Sequence, residues 1–122
     1  MSLSEESSKL VRNKIPSIIS ATGRCPLYRF ALGKEYSDLL SKKLLEETQE
    51  LFEAFALGKP ESLIEEISDV FDVLIAICEN KNISITDLIS KNLTKNKENG
   101  SFSEGVILEK ILSSSQSWNE SK

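Results

Sequence analysis

"LLEETQELFEAF", residues 44 to 55, decides the fold of this chain. Leu44, Leu51, Ala54 and Phe55 recur at helical spacing, and Tyr36, Leu39 and Leu40 extend the pattern backwards. Together they predict a helix from about Glu35 to Leu57. Gly58 stops it, and Pro60 suits the first turn of a following helix. At roughly 100° per residue, Glu47 falls near the middle of the apolar arc and Glu50 close to Leu39. Glu46 and Glu53 fall on the outer flank, where water solvates them. Two glutamates therefore sit on a face that ought to be dry.

Outward from this stretch, the pattern stays helical. Leu63, Ile64, Ile67, Val70, Phe71, Leu74, Ile75 and Cys78, with Val73 and Ile77 alongside, predict a second helix over about 61–79. Its apolar arc is wide enough for more than one neighbour, which argues against a monomer. Glu66 lies at the edge of that arc between Val73 and Ile77, and Asp69 on the other side of Val73. Ser84 with Asp87 three residues on resembles a capping box and opens a third helix, about 85–98, that Gly100 closes. Pro16 in "KLVRNKIPSII" (9–19) starts a turn of helix, and "SATGRCPLYRFALGK" (20–34) reads as loop. Periodicity leaves "FSEGVILEKIL" (102–112) open between a strand and a helical turn. No repeat or composition shift marks a domain boundary. The expectation is a flexible segment over 1–8, one domain over 9–112, and a tail over 113–122 that Trp118 can dock. The architecture is mainly α, with an antiparallel helix hairpin joined by "GKP" at its centre.

Composition narrows the chemistry. Hydrophobic residues make up 39% and charged residues 28%, a globular balance, and the net charge of −4 with a pI near 5.0 offers no surface for duplex nucleic acid. No apolar run is long enough for a membrane helix, and the first ten residues lack a signal peptide's apolar region. Cys25 and Cys78 have no metal-finger spacing, and a cytoplasmic location is the expectation. The chain contains no histidine, which removes triad chemistry, imidazole zinc sites and the commonest general base.

The carboxylates remain. Glu47/Glu50 and Glu66/Asp69 are each an i, i+3 pair stacked on one helix face, and the hairpin sets the pairs opposite each other. Four carboxylates in a partly dry space repel, and a cation relieves the repulsion. An all-oxygen set suits Mg²⁺ or Mn²⁺. Spacing alone leaves a solvated face and a Mg²⁺ site between helices side by side, and names no substrate.

The ordered motifs Glu46-Glu47-Thr48-Gln49-Glu50 and Glu66-Ile67-Ser68-Asp69 resemble the EExxE and ExxD signature of the all-α nucleoside triphosphate pyrophosphohydrolases, the MazG-like superfamily. "KLVRNKIPSII" resembles the "KLVRDKIP" opening of its phosphoribosyl-ATP pyrophosphohydrolase-like branch, and "NKENGSFSEGVIL" that branch's "RGGF…GI.L" close. The resemblance covers about residues 9–112. It implies an all-α fold, a hairpin-based bundle completed by oligomerisation to a homodimer or homotetramer. It also implies hydrolysis of a nucleotide between its α and β phosphates, giving monophosphate and pyrophosphate.

Carried onto this chain, the resemblance makes Glu47, Glu50, Glu66 and Asp69 the ligands of Mg²⁺ (or Mn²⁺). Glu46 becomes the flanking acid that assists a ligand or orients the attacking water. Asn92 and Lys95 match an NxxK spacing that would contact phosphate or sugar, although a lysine-rich helix end is also what the helix dipole favours. Lys9, Arg12 and Lys14 of the opening motif would complete a phosphate rim, or simply stay wet while Leu10, Val11 and Ile15 pack. Two positions depart from the branch: Asn13 stands for its Asp, and Ser101 for its second glycine. Phosphoribosyl-ATP hydrolysis and a catalytically silent nucleotide-binding oligomer are the alternatives. The expected partners are a nucleotide and further copies of the chain, with no duplex nucleic acid and no membrane.

Overall fold

The computed structural model describes residues 8–113. The expectations for residues 1–7 and 114–122, including a docked Trp118, lie outside the described residues. Four α-helices and no strand occur among the described residues: α1 Ile15–Ala21, α2 Gly33–Leu57, α3 Pro60–Asn80 and α4 Ile85–Asn99. The chain divides into two compact units, one ending at Ile85 and the other beginning at Thr86.

In the first unit, α1 starts as Pro16 predicts, with proline in its first turn, where a missing backbone N–H costs nothing. Residues 22–32 then run without regular structure to α2. The end of α2 is fixed by backbone chemistry. Gly58 sits at φ 70°, ψ 26°, a left-handed conformation that costs glycine little, and its N–H bonds Ala54 and Phe55 carbonyls. Lys59 is extended, Pro60 takes the first turn of α3, and the chain has reversed. The observed bounds lie within two residues of the sequence expectation at each end of all three long helices.

The hairpin buries little. Leu40, Ala54, Val73 and Cys78 are its buried apolar side chains, and Glu47 is buried with them. Phe55, which the arc places toward the core, is 72% exposed, so the α2 contact face is narrower than the arc. The wide face of α3 splits in two. Val73 and Cys78 are buried, whereas Ile64, Ile67, Phe71 and Leu74 form an exposed apolar stripe.

In the second unit, α4 begins directly after Ser84, and Gly100 closes it at φ 82°, donating to the Asn96 carbonyl. "FSEGVILEKIL" forms neither a strand nor a helix. A turn from Phe102 to Gly105 opens it, and Val106, Ile107, Leu108 and Ile111 are exposed. Ser101 does not carry the left-handed backbone; Gly100 and Gly105 do, so its Cβ introduces no strain.

Candidate functional site

The acids of the hairpin converge. α2 presents Glu46, Glu47 and Glu50, and α3 presents Glu66 and Asp69. A carboxylate oxygen from each of Glu47, Glu66 and Asp69 lies within 4.8 Å of the other two, and the same holds for Glu46, Glu47 and Glu50. Glu47 is the shared vertex. It is also the most enclosed member, at 7% exposure, because it sits one turn before Leu51 on the face that meets α3. Glu50 is exposed, less enclosed than the arc suggests, yet its carboxyl lies within the field of the Glu47 and Glu66 charges.

Two oxygens of this cluster are unusual. Glu47 Oε1 and Glu66 Oε2 are both out of contact with solvent and without a hydrogen-bond partner. Such atoms are rare in folded proteins because desolvation of a charged acceptor is costly when nothing replaces the lost water. The crowding is also visible in protonation. Burial, then the charges of Glu47, Glu66 and Glu46, raise the Glu50 carboxyl above its ordinary value. Glu66 is raised by burial first, then by Asp69, Glu47 and Glu65.

Cations of the chain itself answer part of this charge. Lys43 Nζ donates to Glu46 at 2.7 Å and lies 3.2 Å from Glu47. Burial works to lower the Lys43 pKa, but its bonds to the two glutamates outweigh that and raise it. The same bond from Lys43 holds the Glu46 carboxyl below its ordinary value. Arg12 closes the other side. Its Nη2 donates to Asp69 and its Nη1 to Asp72, both at 2.7 Å, so one guanidinium spans an i, i+3 pair on α3.

These contacts redistribute the residues singled out in the sequence. Glu46, Glu47, Glu50, Glu66 and Asp69 are brought together. Arg12 touches the cluster through Asp69, and Asp69 and Asp72 give it two carboxylates where the branch's Asp at position 13 is missing. Lys14 is exposed just before α1. Asn92 and Lys95 belong to α4 in the second unit, where both are exposed and Asn92 accepts from Asn96. Sequence reasoning missed Lys43, although its position three and four residues before Glu46 and Glu47 is the spacing of a helical ion pair. Nothing along the chain signals that Arg12 meets Asp69.

Residues 35–99, just over half the chain, match the family model of the MazG nucleotide pyrophosphohydrolase domain. That span contains the hairpin from Glu35 onward, all five clustered acids and α4. Neither the curated proteins nor the solved structures give a match. The family match supports nucleotide pyrophosphohydrolase activity as the chemistry of this chain.

Proposed function

The chain belongs to the MazG nucleotide pyrophosphohydrolase family, and from that premise we propose that it hydrolyses a nucleoside triphosphate between the α and β phosphates with Mg²⁺. Removal of unwanted nucleotides from the pool is the role we assign to it. One observation carries the reading: Glu47, Glu66 and Asp69 converge from two helices while Glu47 Oε1 and Glu66 Oε2 stay buried and unpartnered.

An all-oxygen donor set with orphaned charged atoms fits a hard divalent cation, which Glu47, Glu50, Glu66 and Asp69 would hold. Mn²⁺ would satisfy the same donors. When bound, the ion supplies neutralisation of phosphate charge and a lowered pKa for a bound water. The chain's own residues do the rest. Glu46, kept ionised by Lys43, is a carboxylate able to orient the attacking water and accept its proton. The water oxygen bonds to the α phosphorus, the bond from that phosphorus to the bridging oxygen breaks, and pyrophosphate departs. Arg12, already seated on Asp69, and Lys14 are proposed for the phosphate rim. Asn92 and Lys95 are proposed to contact phosphate or sugar; both are exposed and one helical turn apart, as such contacts require.

A homo-oligomer, dimer or tetramer, is part of the proposal. No side chain of the described residues is fully buried, and the stripe of Ile64, Ile67, Phe71 and Leu74 needs a cover that the hairpin does not supply. A cytoplasmic setting suits two free cysteines, and no described helix is long and apolar enough to cross a membrane.

The test is pyrophosphate release from a panel of nucleoside triphosphates and phosphoribosyl-ATP in Mg²⁺, with Glu50→Gln and Asp69→Asn as controls. Release that both substitutions abolish is the expected result. Release from phosphoribosyl-ATP alone would move the chain to that alternative, and no release from any substrate would leave a silent nucleotide-binding oligomer. Release that survives both substitutions would sink the site assignment.

A further inference from the structure

Beside the acid cluster lies a small cleft of opposite charge. Its volume is about 50 Å³, and Lys9, Leu10, Leu39, Lys42, Lys43 and Glu46 are among its walls. Three lysines around so small a space need a counter-charge. Lys43 finds it in Glu46 and Glu47. Lys9 and Lys42 have no ion-pair partner among the described residues, although the field of Lys9 reaches Glu46. The helix explains half of the arrangement: Lys42 and Lys43 precede Glu46 and Glu47 by one turn, so the basic end of α2's face adjoins the acidic end. The N-terminal segment supplies the other half by bringing Lys9 onto α2 beside Leu10 and Leu39.

Size and polarity limit the occupant. The space is of the order of one phosphoryl group and too small for a base, and its two unpaired ammonium groups favour an anion. Lys43 touches both the cleft and Glu47, so an anion seated there lies one side chain away from the carboxylates that would hold the ion. We propose that this cleft seats the terminal phosphoryl group of the substrate and then one end of the departing pyrophosphate, with Lys9 and Lys42 as the anion-binding residues and Lys43 as the hinge between seat and acid cluster. The proposal rests on the hydrolase reading of that cluster. It also regroups the basic residues. Lys9 works with two lysines of α2 and not with Arg12, its companion in the opening motif.

The test uses the full chain, inorganic pyrophosphate as the probe and calorimetry in Mg²⁺ buffer. Lys9→Gln, Lys42→Gln and the double variant are compared with the native protein, with a nucleoside monophosphate titrated in parallel. Both lysines are exposed, so thermal melts should coincide. The expected result is pyrophosphate affinity weakened by about tenfold or more in the double variant, since charge-assisted hydrogen bonds are the stronger kind. Monophosphate affinity should stay unchanged, and added NaCl should narrow the difference. Equal pyrophosphate affinity in native and double-variant protein would overturn the seat, as would equal losses for both ligands or no pyrophosphate binding by the native protein. A chain that shows the selective loss yet releases no pyrophosphate from any triphosphate keeps the seat and refutes the hydrolase. Turnover with unaltered pyrophosphate binding does the reverse.

Discussion

Replacing Glu47 by Gln removes one charge from the centre of the acid cluster and keeps the side chain's shape. In the ion-free protein Glu47 is 7% exposed, and its Oε1 has neither solvent nor a partner. A buried polar atom left in that state costs about 1–3 kcal/mol, toward the upper end when it is charged. Neutralisation removes the charged part of that cost. Against it stands the contact with Lys43 at 3.2 Å, but Lys43 keeps its shorter bond to Glu46 at 2.7 Å, so the loss is partial. The net expectation for Glu47→Gln without divalent ions is a gain of about 1–2 kcal/mol, the difference between those contributions. For a domain of this size that raises the melting temperature by roughly 4–8 °C. With Mg²⁺ or Mn²⁺ at a hundred times its Kd, the native protein gains about 2.7 kcal/mol, whereas the variant has lost a ligand and gains little. The order of the two melting temperatures must therefore invert between EDTA and saturating metal. Scanning calorimetry in both buffers measures it. A Glu47→Gln variant that melts below the native protein in EDTA would refute the reasoning, because Glu47 would then be held by ordinary structural contacts. Equal stabilisation of both proteins by metal would refute it from the other side.

Three further outcomes are open to measurement. The raised carboxyls of Glu50 and Glu66 bind protons more readily in the folded chain than in the unfolded one. Their contribution to stability is therefore complete below the ordinary carboxylate value and is lost as pH rises through their raised folded values. Melting in EDTA should thus move upward as pH falls from neutral toward that ordinary value. Because protons and metal compete for the same oxygens, the metal-induced shift should shrink over the same interval, and a pH-independent shift would contradict this. Arg12→Gln removes two exposed charge-assisted bonds to Asp69 and Asp72, expected to cost about 0.5–1 kcal/mol, and amide exchange should quicken around Leu10 to Lys14. Phe71→Asp puts a charge on the exposed stripe of α3, and light scattering should find the native oligomer reduced to a smaller species; an unchanged mass would place the interface elsewhere.

The hairpin was legible because its signals are local. The helical period of Tyr36 to Phe55, the stop at Gly58 and the start at Pro60 each act within a turn of chain, so the helix bounds followed from them. The acids were legible for a related reason. An i, i+3 spacing fixes which side chains share a face, and a two-residue link sets one face against the other. What escaped was everything decided by partners distant in sequence. Arg12 meets Asp69 and Asp72 across nearly half the chain, and no spacing rule reaches that far. Phe55 fits an apolar arc but lies on a sector that α3 does not cover. "FSEGVILEKIL" is apolar enough for a strand, yet a strand needs a neighbour to bond with, and none occurs among the described residues.

The same distinction bears on the charge of the site. Read along the sequence, the acids of α2 and α3 are a cluster short of cations. In space they are flanked by Lys43 on one side and Arg12 on the other, and yet Glu47 Oε1 and Glu66 Oε2 remain unpartnered between them. If self-neutralisation were the purpose of the two cations, the most enclosed oxygens should be the first to receive a proton donor, because their desolvation is the costliest. They are instead the ones left open. Lys43 and Arg12 quiet the edges of the cluster and leave those two oxygens with free lone pairs, as the proposed divalent ion would require. A family signature could be retained by a chain that had lost its chemistry. A dry, unpaired pair of carboxylate oxygens is harder to retain without use, since either glutamine substitution would relieve it.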